Sequence, residues 1–416
     1  MQKRPPPERK RNNARGLYIH IPFCSGKCFY CAFYSVPYDQ DNARRYLRAI
    51  RSELQTLSPL DAQTIYFGGG TPSILSATEL EDLCAAVREN IFTANLKEWT
   101  VEANPESLTA EKLAVLAKNG VNRISLGAQS FDNASLKWLG RRHDAAQIME
   151  AVKLICAAEF DNFGLDLIAC IPGINGPARE KAWEKTLQTA VGLKPKHISV
   201  YALTMEEGSR LANQLAPGDR EPPLKVDTDL RAAFLNSHTR PPLRTNLLSE
   251  DEELAELDLA EKILSNKGFV RYEISNYTKP GCECLHNLSC WRGEEYLGLG
   301  PAASSCAGLE RKTNLPDIEK YLDAVENGRP PPCAIDPADA KTRLLEKLIF
   351  GLRMSEGVRE QDAIPWNLRL HELCGNGLLI LAAGRWRLTD RGRNLADYVA
   401  TELLSAPAIF PTSARF

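Results

Sequence analysis

Between Leu17 and Tyr201 the chain alternates short β-rich runs with stretches of helical period, and that alternation leaves few folds open. The expected strands are Leu17–Ile21, Thr64–Gly68, Trp99–Ala103, Arg123–Gly127, Gly164–Ala169 and His197–Tyr201. The intervening segments Asn42–Leu57, Glu79–Ile91, Ala110–Asn119, Ala145–Ala158 and Glu180–Val191 carry apolar residues at helical spacing. Ser76 with Glu79 reads as a capping box, and Gly120 as a left-handed helix stop. Successive β–α units connected right-handedly make a parallel sheet with helices outside. Six of them predict a partial (β/α)6, TIM-like barrel whose site lies at the C-terminal ends of its strands.

The remainder divides by composition. Residues 1–15 form a basic, proline-rich tail without the apolar core of a secretory signal, and 16–215 form the barrel core. Residues 216–253 are a proline-rich insertion ending in a charged run. Residues 254–340 are a smaller α+β extension with a helix over Glu253–Asn266 and a strand over Phe269–Ile274. Residues 341–416 read as a winged-helix-like module with a strand near Gly384–Thr389. A net charge of −2 argues for neither a nucleic-acid partner nor an anionic membrane surface. No apolar run reaches the ~20 residues of a membrane helix. Twelve cysteines without a secretory signal point to a reducing compartment, the cytoplasm.

Cys24, Cys28 and Cys31 follow the first strand in C-x3-C-x2-C spacing. Three soft thiolates on one loop can each take one iron of a 4Fe–4S cubane, and the missing fourth thiolate leaves one iron open. A structural zinc site would need a fourth local ligand, and a disulfide would leave one thiol over. Cys84, Cys156, Cys170, Cys333 and Cys374 lie in apolar stretches and read as core.

The other strand ends carry polar groups where a dry core would be apolar: Glu102, Gln129 and Asp166, with Arg141 just beyond. Singly, each reads as well as a solvated or structural residue. Converging on the cluster loop they would suit S-adenosylmethionine (SAM), a carboxylate for its ribose hydroxyls and an arginine for its carboxylate. The turn Gly68-Gly-Gly-Thr71-Pro72 lets backbone approach a ligand, whose polar end its amides or carbonyls could bond, although a plain strand-to-helix turn looks the same.

The runs Tyr18-Ile-His-Ile-Pro-Phe-Cys24, Gly68-Gly-Gly-Thr-Pro72, Val101-Glu-Ala-Asn-Pro105 and Asn122-Arg-Ile-Ser-Leu-Gly-Ala-Gln-Ser-Phe131 resemble the oxygen-independent coproporphyrinogen III oxidase superfamily of radical SAM proteins. Tyr272-Glu-Ile-Ser-Asn-Tyr277, Cys284-Leu-His-Asn287 and Trp291 bring the resemblance to its heme-chaperone branch, the HemW family. The resemblance implies a radical SAM barrel with cluster ligands Cys24, Cys28 and Cys31. It implies a SAM site lined by Tyr18, Tyr30, Gly69, Gly70, Thr71, Glu102, Gln129, Arg141 and Asp166. It also implies bound heme, passed to an acceptor protein; an electron-donor protein is a further expected partner.

Phe33 stands where the decarboxylating branch has a further cysteine, and the cluster motif begins almost at the start of the sequence, so coproporphyrinogen decarboxylation is not expected. Cys290 and Ser304 stand where the chaperone branch has tyrosine and histidine. His286, in a loop bounded by Pro280 and Gly281 and flanked by Cys282, Cys284 and Cys290, is the candidate axial ligand of heme. A backbone-bonded loop histidine and a zinc site of these same residues are the alternatives. The other function these residues allow is a radical SAM enzyme abstracting hydrogen or transferring a methyl group to a porphyrin or other substrate.

Overall fold

The structure is a computed structural model that describes residues 14–57, 60–172, 176–215 and 248–408. Strands β1 (Gly16–Ile21), β2 (Thr64–Gly69), β3 (Glu98–Ala103), β4 (Arg123–Gln129), β5 (Phe163–Ala169) and β6 (His197–Ala202) lie side by side, parallel and in chain order. Each lies within one or two residues of its expected bounds. The capping box at Ser76 forms, and Gly120 takes φ +94°. The expected partial barrel is the fold.

Segments C-terminal to the core extend the sheet at both of its edges. Beyond β6 run antiparallel β7 (Val270–Arg271) and β8 (Asn276–Thr278). Beyond β1 runs parallel β9 (Tyr296–Leu299), then antiparallel β10 (Ser304–Ala307), β11 (Glu310–Asn314) and β12 (Cys333–Pro337), completing one 12-stranded sheet. The strand expected over Phe269–Ile274 shrinks to Val270–Arg271, because Tyr272 turns aside to bond His197 and Glu273 bridges to Met354 instead. The helix expected from Glu253 starts at Glu250, capped by Ser249 and Glu252. The proline-rich residues 216–247 lie outside the described part, as does most of the basic tail.

The two faces of the barrel strands have opposite chemistry. On the helix side Ile19, Ile21, Ile65, Phe67, Val101, Ile124, Leu126, Leu165 and Ile198 are wholly buried against the helices. Each such side chain contributes roughly 1.5–3 kcal/mol of apolar burial, so the outer layer holds the barrel together. The lumen side carries Thr64, Tyr66, Glu98, Thr100, Glu102, Arg123, Ser125, Asp166, His197 and Ser199 at alternate positions. Closed TIM barrels fill that space with layers of branched aliphatics. This lumen is polar.

The C-terminal module has its own core around Leu348, Trp366, Leu370, Leu373, Trp386 and Leu403. Helices Ala340–Arg353, Asn367–Gly375 and Ala396–Ser405 pack on a three-stranded antiparallel sheet of β13 (Val358–Arg359), β14 (Leu379–Ala382) and β15 (Arg385–Leu388). This is the expected winged-helix-like arrangement. Among the described residues no helix is long and apolar enough to cross a membrane.

Candidate functional site

After β1 the chain enters the cysteine loop, whose base is pinned by parallel pairing of Phe23–Cys24 with Val36–Pro37. Its middle is tied to the barrel rim, Phe29 N–H donating to Leu139 O at 3.1 Å and Leu211 N–H to Phe29 O at 2.8 Å. Cys24, Cys28 and Cys31 are half-buried free thiols. Cys24 Sγ lies 3.4 Å from Thr71 Oγ1, and Arg141 Nη1 donates to Cys28 Sγ at 3.3 Å. Burial pushes the Cys24 thiol up to about 11, with Cys28 and Cys31 adding to the effect. Among the described residues no three His, Cys, Asp or Glu side chains converge on a single-ion site. Three thiols on one loop that do not share a point fit one iron each, as a cubane requires.

The glycine turn at the end of β2 is built for close approach to that loop. Gly69 has φ +108°, and a Cβ there would lie 2.5 Å from the His20 ring; at Gly70 it would lie 2.6 Å from Phe23 O. The turn's amides are already committed. Gly69 N–H donates to Glu102 Oε2 at 3.2 Å, Gly70 N–H to Ile21 O at 2.8 Å and Thr71 N–H to Phe23 O at 2.8 Å. Thr71 O accepts from Ile74 N–H at 2.9 Å, so the carbonyls of Gly69 and Gly70 are the backbone groups offered to a ligand. Thr71 Oγ1 accepts from Asn104 Nδ2 at 2.9 Å.

Arg141 reaches across the mouth of the barrel. Its Nη2 donates to Asn104 Oδ1 at 2.6 Å and Gly127 O at 3.1 Å, while its buried Nε has no partner. Glu102 accepts from Tyr66 Oη at 2.7 Å; burial, reinforced by Asp166, raises its carboxyl to about 7. Asp166 accepts from Ser199 at 2.7 Å and Ser125 at 3.0 Å, and burial raises it as well. Gln129 closes β4 at a register shift with φ +65°, buried beside Gly127. Tyr30 packs with Trp138, Leu139, Ile168 and Leu211, its phenol pushed up by burial. Tyr18 sits lower, bonded to His20 Nδ1 at 3.1 Å and 6.1 Å from the Tyr66 ring.

Asn104, Tyr66, Ser125 and Ser199 belong to this network and went unassigned in the sequence. Their signal was the alternation itself: Thr64-x-Tyr66-x-Gly68 and Glu98-x-Thr100-x-Glu102 put polar groups on one face of strands that should be buried on both.

His286 lies elsewhere. It belongs to the helix Leu285–Trp291, not to a loop, and only 5% of it is exposed. The helix N-terminus is received by Glu98, which accepts from Leu285 N–H at 2.9 Å, His286 N–H at 3.0 Å and Cys284 Sγ at 3.5 Å. His286 Nδ1 bonds Thr64 Oγ1 at 2.9 Å, and its ring lies 5.2 Å from Tyr66. Arg123 donates to Cys282 O at 3.0 Å, and Tyr272 Oη meets His197 Nε2 at 2.9 Å. The segment thus plugs the N-terminal end of the barrel, where burial lowers His286 to about 4. Of the cysteines expected in the core, Cys84 and Cys170 are buried, Cys333 and Cys374 half-buried, and Cys156 exposed on its helix.

A parallel barrel carrying a three-cysteine loop at its strand ends is the architecture of radical SAM proteins, and residues 18–184 match the family described as the Radical SAM superfamily. The solved coproporphyrinogen III oxidase (HemN) from Escherichia coli, a radical SAM enzyme, superposes with TM-score 0.75 over 95% of this chain and 92% of that one, at 20% identity. The heme chaperone HemW of Lactococcus lactis is 34% identical over 93% of this chain and 96% of its own length. That of Escherichia coli K12 is also 34% identical, over 91% and 94%. The chain belongs to the HemW family.

Proposed function

We propose that this chain is a heme chaperone that binds heme and hands it to an acceptor protein, and that it holds a 4Fe–4S cluster with exchangeable SAM. The observation that supports it most is that the likeness to HemW relatives runs the length of the chain, through the floor segment and the C-terminal module as well as the barrel. Cys24, Cys28 and Cys31 would hold the cluster, which supplies one-electron reducing power when bound. Arg141 balances thiolate charge at Cys28 and offers its unpaired Nε to a carboxylate. Glu102 and Asp166 stand below as acceptors for hydroxyls, while Thr71 and the carbonyls of Gly69 and Gly70 line the side nearest Cys24. Tyr18, Tyr30 and Gln129 complete the lining. We place the protein in the cytoplasm, where an electron-donor protein can reach the loop.

For heme, His286 offers Nε2, its Nδ1 being held by Thr64. Phe33, 70% exposed on the cysteine loop, gives no thiol where the decarboxylating branch has one. Anaerobic titration of the full chain with hemin tests the reading. A saturable Soret band that shifts in His286→Ala, with no protoporphyrinogen formed from coproporphyrinogen III, is the expected result. Absence of saturable heme binding, or decarboxylation above a no-protein control, would overturn it.

A further inference from the structure

The C-terminal end of the helix Leu285–Trp291 faces the helix Ala340–Arg353 across a cleft of about 220 Å3, lined among others by Cys290, Trp291, Tyr296, Cys306, Arg343 and Phe350. Among the described residues, the cleft's buried side-chain atoms without a partner are all donors. Arg343 is 8% exposed and gives Nη1 to Glu346 Oε2 at 2.6 Å, yet its Nε and Nη2 are buried without a partner. Trp291 Nε1 is a third buried N–H without an acceptor. Glu346 is already shared, since Arg311 Nη2 donates to its Oε1 at 3.0 Å. The lining holds three cations, Arg311, Arg343 and Lys347, with the carboxylates Glu294 and Glu346, and Asp336 pairs Arg311 from outside it at 4.0 Å. Buried donors left unpaired in a folded protein call for a missing acceptor, and two of the three sit side by side on one guanidinium, the fork that a carboxylate matches.

The walls narrow the choice. Trp291 and Phe350 meet edge to face at 6.0 Å beside Tyr296, a surface for a flat unsaturated body rather than for a hydrated phosphate. The volume takes a carboxylate arm with an adjoining ring edge, not a whole tetrapyrrole. Cys290 lies one helical turn after His286. A Cβ at Gly16 would lie 3.2 Å from Tyr296 Cβ and 3.3 Å from His286 Cε1, so the cleft backs directly onto the barrel floor.

We propose that this cleft is a carboxylate subsite that seats the propionate edge of the tetrapyrrole, with Arg343 and Trp291 as its donors. The assignment rests on the heme-chaperone reading. Its test titrates the full chain with protoporphyrin IX and with its dimethyl ester, which keeps the ring and removes the charge, in wild type, Arg343→Lys, Arg343→Ala and Trp291→Phe. The free acid is expected to bind wild type at least tenfold more tightly than the ester, Arg343→Ala to abolish that preference, and Arg343→Lys to retain part of it. Trp291→Phe, which removes one N–H and keeps the ring, should reduce the preference about threefold, a readout that survives if Arg343→Ala fails to fold. Equal binding of acid and ester by wild type, or an undiminished preference in Arg343→Ala or Trp291→Phe, would overturn the subsite and leave the chaperone reading standing. Binding of neither porphyrin nor heme would overturn both.

Discussion

The two ends of the barrel hold similar residues and use them differently. At the C-terminal end are three cysteines, two half-buried carboxylates and an arginine; at the floor are Cys284, Glu98, Arg123, His197 and His286. At the floor nearly all of these groups are committed to one another, Glu98 alone receiving three donors. Among the described residues, Thr100 Oγ1 and His197 Nδ1 are the lumen-facing atoms buried there without a partner. At the upper end the thiols are half-buried, Arg141 keeps an unpaired Nε, and two carboxylates are held above their ordinary range with no cation bonded to them. Residue type alone does not separate a cluster and SAM site from a packed barrel floor. Partner assignment does.

Glu98→Ala should break the closure most severely. It leaves two helix N–H groups buried without acceptors, at about 1–3 kcal/mol each, so chemical denaturation should show a loss of several kcal/mol. Arg141→Ala, by the same comparison, should weaken SAM by roughly 1–3 kcal/mol while moving the unfolding midpoint far less. A Glu98 variant as stable as wild type would remove the contrast between the ends.

The ends should also answer pH with opposite sign. Glu102 has its folded-state value raised to about 7, so its stabilising contribution is complete at low pH and is lost as pH rises through 7. His286 is lowered to about 4, so its contribution is complete above the ordinary histidine range and is lost as pH falls toward 4. Melting curves from pH 4 to 8 should therefore show Glu102→Gln removing a decline toward neutral pH, and His286→Gln removing one toward acid. Like slopes for both variants would contradict the burial assigned to one of them. The smallest effect is expected from Thr64→Val, which deletes the bond to His286 Nδ1 at about 1 kcal/mol and should leave SAM binding unchanged.

The barrel is legible in the sequence because its outer strand face is built from aliphatics at strict alternation, and period reports burial directly. The cysteine loop is legible because ligand spacing is local. The floor is not. Pro280 and Gly281 make the segment before His286 read as loop, while the seven-residue helix beyond them is too short to show a period and is held by Glu98 from a distant strand. Glu98, Arg123 and His197 look like solvated charges, and only the sheet register turns them into the lumen. In sequence the Gly69–Gly70 turn offers a ligand its amides as readily as its carbonyls, whereas Ile21, Phe23 and Glu102 already take the amides.

The claim that the cysteine loop at the C-terminal end is the cluster site, and that the floor cysteines are not, is tested most directly by iron analysis after anaerobic reconstitution. Two triple variants are compared, Ser at Cys24, Cys28 and Cys31, and Ser at Cys282, Cys284 and Cys290. Wild type should take up about four irons with matching sulfide. The first variant should retain almost none, and the second, provided it folds by circular dichroism, should retain the wild-type content together with its response to SAM in the reduced EPR spectrum. Undiminished iron and sulfide in the first variant, or their loss in a folded second variant, would contradict the account.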